Sequence, residues 1–275
     1  MLTHYKRTPT QKVARGFSYL FMALCVCVAL FPIIWVVLSS FKTNSEIFSN
    51  GLSLPSHFSF DGYVQALEIA PILKFFANSL IIATITTILN VFCLAMAGYV
   101  FAKKRFRFKN TIYAILSLSM VIPTTALMSP VYNIITKLGL YDTKFALILV
   151  YTALNMPISL MVLRSAFASI PTELEEAAYI DGAGFFQQFW YITLPNIKGS
   201  LALCALLRTI DTFRLFEKVN VLTGGGPAGT TSTITQFLYN YGIKSLDFGF
   251  GSAGAIVMTV LVLILSSFYI KRAMG

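Results

Sequence analysis

The sequence predicts an all-α polytopic membrane protein with six transmembrane helices and one short polar helix between the fourth and the fifth. Hydrophobic residues make up 56% of the chain and charged residues only 12%. The mean hydropathy of +0.74 is too high for a water-soluble domain. The apolar residues are also grouped in long runs, and each run has the roughly 20 residues that a helix needs to cross a bilayer.

The six predicted spans are separated by polar loops, and the first is interpreted as a retained helix. Its apolar run is too long for a signal-peptide core, and no small-residue cleavage site follows it. Pro123 and Pro130 in the third span and Pro157 in the fourth remove helix hydrogen bonds. These prolines predict either ordinary helix kinks or bends that shape a transport pathway. The spans cover about residues 17–39, 75–101, 111–135, 144–170, 195–221 and 251–270.

The positions of lysine and arginine predict the orientation. Of 21 such residues, 13 fall in segments predicted to be cytoplasmic and five in segments predicted to be external. The loop 102–110 alone has five, and the N-terminal tail has Lys6, Arg7, Lys12 and Arg15. We therefore expect a multi-pass protein of the plasma (inner) membrane, in contact with lipid, with both termini cytoplasmic. This distribution explains most of the net charge of +10 without any nucleic-acid partner.

The one long polar segment, Thr172–Pro195, is named here the coupling segment. Four of the eleven acidic residues lie in its first ten positions. Thr172 followed by Glu175 predicts a capping box at a helix start. Gly182 and Gly184 then predict that this helix ends after about nine residues, because glycine adopts left-handed backbone conformations without a Cβ clash. Such a short helix needs a packing partner. Without further motifs it would be interpreted as a surface connection between two larger elements.

The spacing within this segment is typical of a known family. Glu176, Ala177, Ala178 and Gly182, followed by Ile192, Leu194 and Pro195, resemble in full the EAA signature of ABC importer permeases. The Asp181-Gly182-Ala183 extension resembles the carbohydrate-uptake branch. In that family the segment is a cytoplasmic coupling helix that docks into a groove of the ATPase subunit. The resemblance implies that the ATPase-coupling residues are Glu175, Glu176, Ala177, Ala178, Asp181, Gly182, Leu194 and Pro195.

Two further stretches resemble carbohydrate permeases with the type I importer fold. FKTNSEIF, from Phe41, and the later Pro55 resemble the first external segment of the MalG-like members. TGGGP, from Thr223, and the later Asp247-Phe248-Gly249 resemble the MalF-like members. The resemblance implies two regions: residues 1–70 with the cytoplasmic tail, first helix and external segment, and residues 71–275 as the permease domain with the coupling loop 172–195.

The resemblance also implies the partners. They are a second permease subunit, expected to be a different chain, two ATPase subunits that hold ATP and Mg²⁺, and an extracellular or periplasmic sugar-binding protein. This chain has no GxxxxGK[ST] phosphate loop, so we expect neither ATP hydrolysis nor a cofactor in it. His4 and His57 have no acidic or cysteine companion at ligand spacing, so no metal site is expected, and no catalytic motif is present.

Four charged residues recur every third position in the fifth span: Arg208, Asp211, Arg214 and Glu217. On a continuous helix each neighbour is within pairing reach, and the four wind round about half of the circumference. They form either a structural series of ion pairs or part of a sugar-binding cavity, where charged groups make hydrogen bonds beside aromatic rings. The candidate residues of the substrate pathway are Tyr151, Asn155, Arg208, Asp211, Phe213 and Arg214.

The function expected from these observations is that of a membrane-spanning permease subunit. It would belong to an ATP-driven ABC importer of a sugar, with an oligosaccharide favoured, delivered by an external binding protein. The alternative is a secondary transporter or channel that uses the charges of the fifth span. A membrane-embedded enzyme ranks third, because the sequence contains no catalytic constellation.

Overall fold

The computed structural model describes residues 9–69 and 72–274, and within them every regular element is helical, which confirms the all-α class. His4, Lys6 and Arg7 of the predicted tail lie outside the described residues. The α-helices of the described ranges are α1 Pro9–Ser39, α2 Asn44–Ser49, α3 Asp61–Val64, α4 Ile72–Lys103, α5 Lys109–Leu118, α6 Met128–Lys137, α7 Lys144–Leu154, α8 Met156–Ala168, α9 Thr172–Ile180, α10 Phe185–Gln188, α11 Leu194–Phe213, α12 Glu217–Leu222, α13 Ile234–Leu238 and α14 Phe248–Met274.

Three of these helices are long and apolar enough to cross a membrane: Ala14–Ser39 in α1, α4 itself, and Phe248–Phe268 in α14. Two more spans follow if each of two bent pairs is counted as one: α5 with α6, bent by 99°, and α7 with α8, bent by 53°. These helices make the protein membrane-integral in character. The count of six spans stays a prediction.

Proline explains why the third and fourth predicted spans are broken rather than continuous. Ile122, the residue before Pro123, has an extended backbone conformation (φ −74°, ψ 120°). Residues before a proline favour this conformation, and it ends the helix. Asn155 separates α7 from α8, two positions before Pro157 in the first turn of α8. The interruptions expected from Pro123 and Pro157 are therefore present, as breaks in the third and the fourth predicted span.

The fifth predicted span is also shorter than expected, because α11 ends at Phe213 rather than near Val221. Threonine hydroxyl groups from later in the chain donate hydrogen bonds to carbonyls that would accept backbone hydrogen bonds in a longer helix. Thr235 Oγ1 donates to Phe213 O at 2.8 Å, and Thr233 Oγ1 donates to Leu215 O at 2.6 Å. These tertiary hydrogen bonds stabilise the break and start a separate helix, α12, at Glu217.

The described part of the chain forms two compact units, one within Met1–Ile69 and Tyr241–Val257 and the other within Ala70–Asn240 and Met258–Gly275. In the first unit, the buried Lys42 donates hydrogen bonds to the carbonyls of Asn50, Gly51 and Ser53, and Trp35 Nε1 donates to Gly51 O. These bonds order the irregular segment after α1, where backbone groups have few partners of their own.

In the second unit α4 is the central helix, and it packs against α7, α8 and α11. One buried apolar cluster includes Leu94 and Phe101 of α4 with Leu163 of α8. Gly98 lies so close to α8 that an added Cβ would be 3.0 Å from Arg164 N. Small residues allow such close approach between helices in membranes. Between α4 and α7, the buried Asn90 Nδ2 donates to Thr152 O at 3.0 Å.

Candidate functional site

The coupling segment begins with α9, which has nine residues as predicted. The predicted capping box is wrong. Pro171 occupies the N-cap position, so Thr172 is already the first helical residue and its side chain makes no capping bond. The Glu175 carboxylate instead lies 3.2 Å from the Lys103 ammonium at the end of α4.

The end of α9 depends on a left-handed glycine. Gly182 has φ +80°, its N–H donates to Tyr179 O, and Ala183 N–H donates to Ala178 O at 2.9 Å. This pair of bonds is the Schellman arrangement that closes many helices. No heavy atom lies within 4 Å of an added Cβ at Gly182, so the requirement for glycine there is conformational rather than steric.

The two faces of α9 differ. Ala178 is buried, and Glu175 on the same face is partly buried. Glu176, Ala177 and the tip residues are exposed, and Ile180 has 83% of its surface accessible. Tyr179 is 77% exposed beside it. An apolar tip flanked by carboxylates is typical of a protein-binding surface rather than of a free surface helix.

After the turn at Gly182, α10 and a π-helical stretch lead into α11, which starts at Leu194 with Pro195 in its first turn, as predicted. Leu194 is half-buried and Pro195 is exposed. A shallow cavity of about 300 Å³ lies between the turn at Gly182 and the π-helical stretch before α11. Its lining residues are Asp181, Gly182, Ala183, Gln187, Gln188, Tyr191 and Ile192.

A second cavity, of about 330 Å³, lies where α7, α11 and α12 meet the break after Pro123, and is named here the charged cavity. It contains four of the six residues predicted for the substrate pathway. The lining residues are Thr124, Tyr151, Asn155, Asp211, Arg214, Phe216, Glu217 and Lys218.

The other two predicted residues, Arg208 and Phe213, lie behind the charged cavity and do not line it. Arg208 is buried, and its Nη2 is 2.8 Å from Asp211 Oδ2. Phe213 is buried against the ring of Phe76. Arg208 therefore holds Asp211 from inside the protein, and Phe213 packs in the interior.

The alternative of a structural series of ion pairs through these four charged residues is not formed. Among the described residues of this region, Arg208–Asp211 is the one pair within salt-bridge distance. Because α11 ends at Phe213, Arg214 and Glu217 do not continue the same helix. They instead present their charged groups at the cavity, where both side chains are exposed.

The candidates for the substrate pathway did not include four lining residues, Thr124, Phe216, Glu217 and Lys218. The Lys218 ammonium lies 4.2 Å from the centre of the Tyr151 ring, a cation–π distance. Its position next to Glu217, near the end of an apolar run, was a usable signal for a polar site. Thr124 could not be placed, because its position depends on the sharp bend at Pro123.

Comparison with known proteins gives a family and full-length relatives. Residues 94–272 match the family described as binding-protein-dependent transport system inner membrane component. The diacetylchitobiose uptake system permease protein NgcG of Streptomyces coelicolor is 30% identical over 267 residues, covering 94% of this chain and 85% of that protein. The trehalose transport system permease protein SugB of Mycobacterium tuberculosis is 31% identical, covering 90% of each chain.

A solved structure shares the fold. A bacterial ABC transporter involved in the import of the acidic polysaccharide alginate aligns with a TM-score of 0.80 at 20% identity, covering 98% of both chains. The family match spans well over half of the chain and includes α9, the charged cavity and most of α14. The chain therefore belongs to the family of inner membrane components of binding-protein-dependent transport systems.

Proposed function

We propose that this chain is the membrane-spanning permease subunit of an ATP-driven importer of a carbohydrate, with an oligosaccharide as the favoured substrate. The observation that carries the proposal is the geometry of α9. It is a nine-residue helix with an exposed apolar tip, closed by a left-handed glycine at the position that the family signature requires. A helix of this kind has no use in a secondary transporter or channel, so the alternative is not adopted.

In this proposal α9 docks on an ATPase subunit through its exposed face. The contacts come from Glu176, Tyr179 and Ile180, all of which are exposed. ATP and Mg²⁺ bind in the ATPase subunits, and this chain contributes no step of the hydrolysis. The assembly contains two ATPase subunits, a second permease subunit of different sequence, and an external binding protein. The coupling segment and both termini face the cytoplasm.

The mechanical step follows from how α9 is connected. Pro171 links its start closely to α8, and the turn at Gly182 links its end to α10 and α11. A displacement of α9 therefore acts on two helices that pack against α4. Packed helices switch between discrete arrangements rather than deforming continuously, so ATPase closure selects between two accessible states of the permease.

The charged cavity is proposed to contact the carbohydrate. Its volume is at the lower end of the range for small-molecule sites. Carboxylates of Asp211 and Glu217 accept hydrogen bonds, while Arg214 and Lys218 donate them. The rings of Tyr151 and Phe216 provide apolar surface beside these groups. Lining charges of both signs suit a neutral, hydroxyl-rich ligand, because a ligand with one strong charge would oppose half of them.

Copurification and reconstitution test the proposal. The full chain is expressed with its ATPase and partner permease, extracted in detergent, and assayed for bound ATPase. Reconstituted vesicles then receive the binding protein and a panel of di- and oligosaccharides. We expect ATP-dependent uptake of at least one neutral oligosaccharide. Absence of any bound ATPase would overturn the proposal.

Glu176→Lys is expected to weaken ATPase attachment, because it reverses a charge on the exposed face of α9. The same copurification measures this loss.

A further inference from the structure

The two adjacent glutamates of α9 point in different directions. Glu176 is exposed, whereas the Glu175 side chain is only 19% exposed and lies 3.2 Å from the Lys103 ammonium. Lys103 is 11% exposed, and its ammonium also donates to the carbonyl of Ile170 at 2.8 Å. One cation therefore joins the last turn of α4 to both the end of the α8 region and the start of α9.

Few apolar contacts hold α9 to the rest of the protein. Within α9, Ala178 is the one buried residue and Glu175 is half-buried. The other seven residues of the helix are exposed. Glu175 and Ala178 are three positions apart and share a helix face. The pair with Lys103 is therefore a main side-chain attachment of the first half of α9. A partly desolvated pair of this kind is stronger than an exposed surface pair.

The neighbouring cations of the same loop make different contacts. Lys104 is exposed, with its ammonium 5.6 Å above the Tyr99 ring, and Lys109 Nζ donates to the carbonyls of Ala102 and Lys104 at the end of α4. These cations suit the negative end of the α4 dipole. Lys103 differs from them because it reaches across to another part of the chain.

We propose that Lys103 is a positioning residue that fastens the coupling helix to α4, so that Glu175 transmits the movement of α9 to the central helix while Glu176 remains free for the ATPase. The inference rests on the proposed function, since it assigns a separate role within the same segment. α4 then receives the displacement directly, in addition to its contacts with α8 and α11. Without this attachment, α9 moves with the ATPase but displaces α4 less.

The test measures how many sugar molecules are transported per ATP hydrolysed by the reconstituted importer. Lys103→Met and Glu175→Gln are each expected to lower this ratio about fivefold or more, the lower end of typical coupling between protein sites. The double variant is expected to be no worse than either single variant, because both remove the same interaction. Lys103→Arg, which keeps the charge, is expected to retain most of the ratio.

Lys104→Met is the matched control, since it removes the same charge from the adjacent, exposed position. It is expected to leave the ratio unchanged. An unchanged ratio in Lys103→Met and Glu175→Gln, or additive losses in the double variant, would overturn the proposal. If Lys103→Met does not insert, Glu175→Gln decides alone, because it keeps the shape of the side chain. ATPase binding by the unaltered chain tests the proposed function separately from these outcomes.

Discussion

The coupling segment and the charged cavity are built in different ways. α9 and the turn that ends it consist of consecutive residues, and the bonds that close them join positions three to five apart, such as Ala183 N–H to Ala178 O. The charged cavity is assembled from α7, the break after Pro123, the end of α11 and the start of α12. Its central carboxylate, Asp211, is held by the buried Arg208.

This difference predicts how each region fails. A change in the coupling segment should alter docking while the rest of the fold persists, because its shape depends on local backbone conformation. A change at the base of the charged cavity should also lower stability, because buried partners are left behind. Four experiments examine this contrast, ordered from the largest expected effect to the smallest.

Asp211→Asn is expected to have the largest effect. It leaves the buried Arg208 guanidinium without its carboxylate and should lower the free energy of unfolding by about 2 to 4 kcal/mol. This loss is smaller than for a fully buried pair, because Asp211 is 43% exposed. Thermal unfolding in detergent measures this loss, and transport should fall with it. Arg214→Gln is the matched control, since Arg214 is exposed: transport falls but the unfolding midpoint is kept. Equal midpoints for both variants would contradict the assigned support role of Arg208.

Gly98→Leu examines the contact between α4 and α8, on which neither region depends locally. The new side chain would meet Arg164 N at 3.0 Å and Leu163 at 3.2 Å, and such overpacking costs about 1 to 3 kcal/mol. We expect a lower unfolding midpoint together with loss of both ATPase attachment and uptake. Gly199→Leu is the control, because no heavy atom lies within 4 Å of an added Cβ there. Normal behaviour of Gly98→Leu would show that the two helices separate at little cost.

Gly182→Val is expected to act on the coupling segment alone. A β-branched residue at φ +80° is strained by on the order of 1 kcal/mol or more, although the space around it is open. Attachment of the ATPase should weaken while insertion and the unfolding midpoint change little. Gly184→Ala is the control, since Gly184 has φ −67°, which alanine adopts readily. Equal ATPase binding by both variants would argue against a conformational role for Gly182.

Cysteine labelling sharpens the contrast without any expected loss of stability. His57→Cys and Phe106→Cys are made in a chain whose four native cysteines are replaced, and both positions are exposed. An impermeant thiol reagent is expected to label position 57 from outside and position 106 only from inside, because the loop 102–110 has five cations. The reverse pattern would invert the proposed orientation and place the coupling segment on the wrong side of the membrane for an ATPase.

Local signals in the sequence were sufficient for the length and the end of α9 and for the fold class. The apolar runs identify the long helices, and Gly182 marks the end of α9, since both depend on residues within a few turns of one another. The failed capping box belongs to the same class of signal. Pro171 precedes Thr172 in the sequence, and it displaced the threonine from the N-cap position.

The tertiary structure alone decided where α11 ends and what Glu175 contacts. Thr233 and Thr235 donate hydrogen bonds to carbonyls 18 and 22 residues earlier in the chain. Lys103 donates one to the carbonyl of Ile170, 67 residues later. No periodicity encodes such pairs, because periodicity describes neighbours on one element. In a low-dielectric interior most buried polar groups pair with a partner that the packing brings within reach. The sequence therefore determined which segments are helices, and the packing of those helices determined which charges meet at the cavity and at the coupling helix.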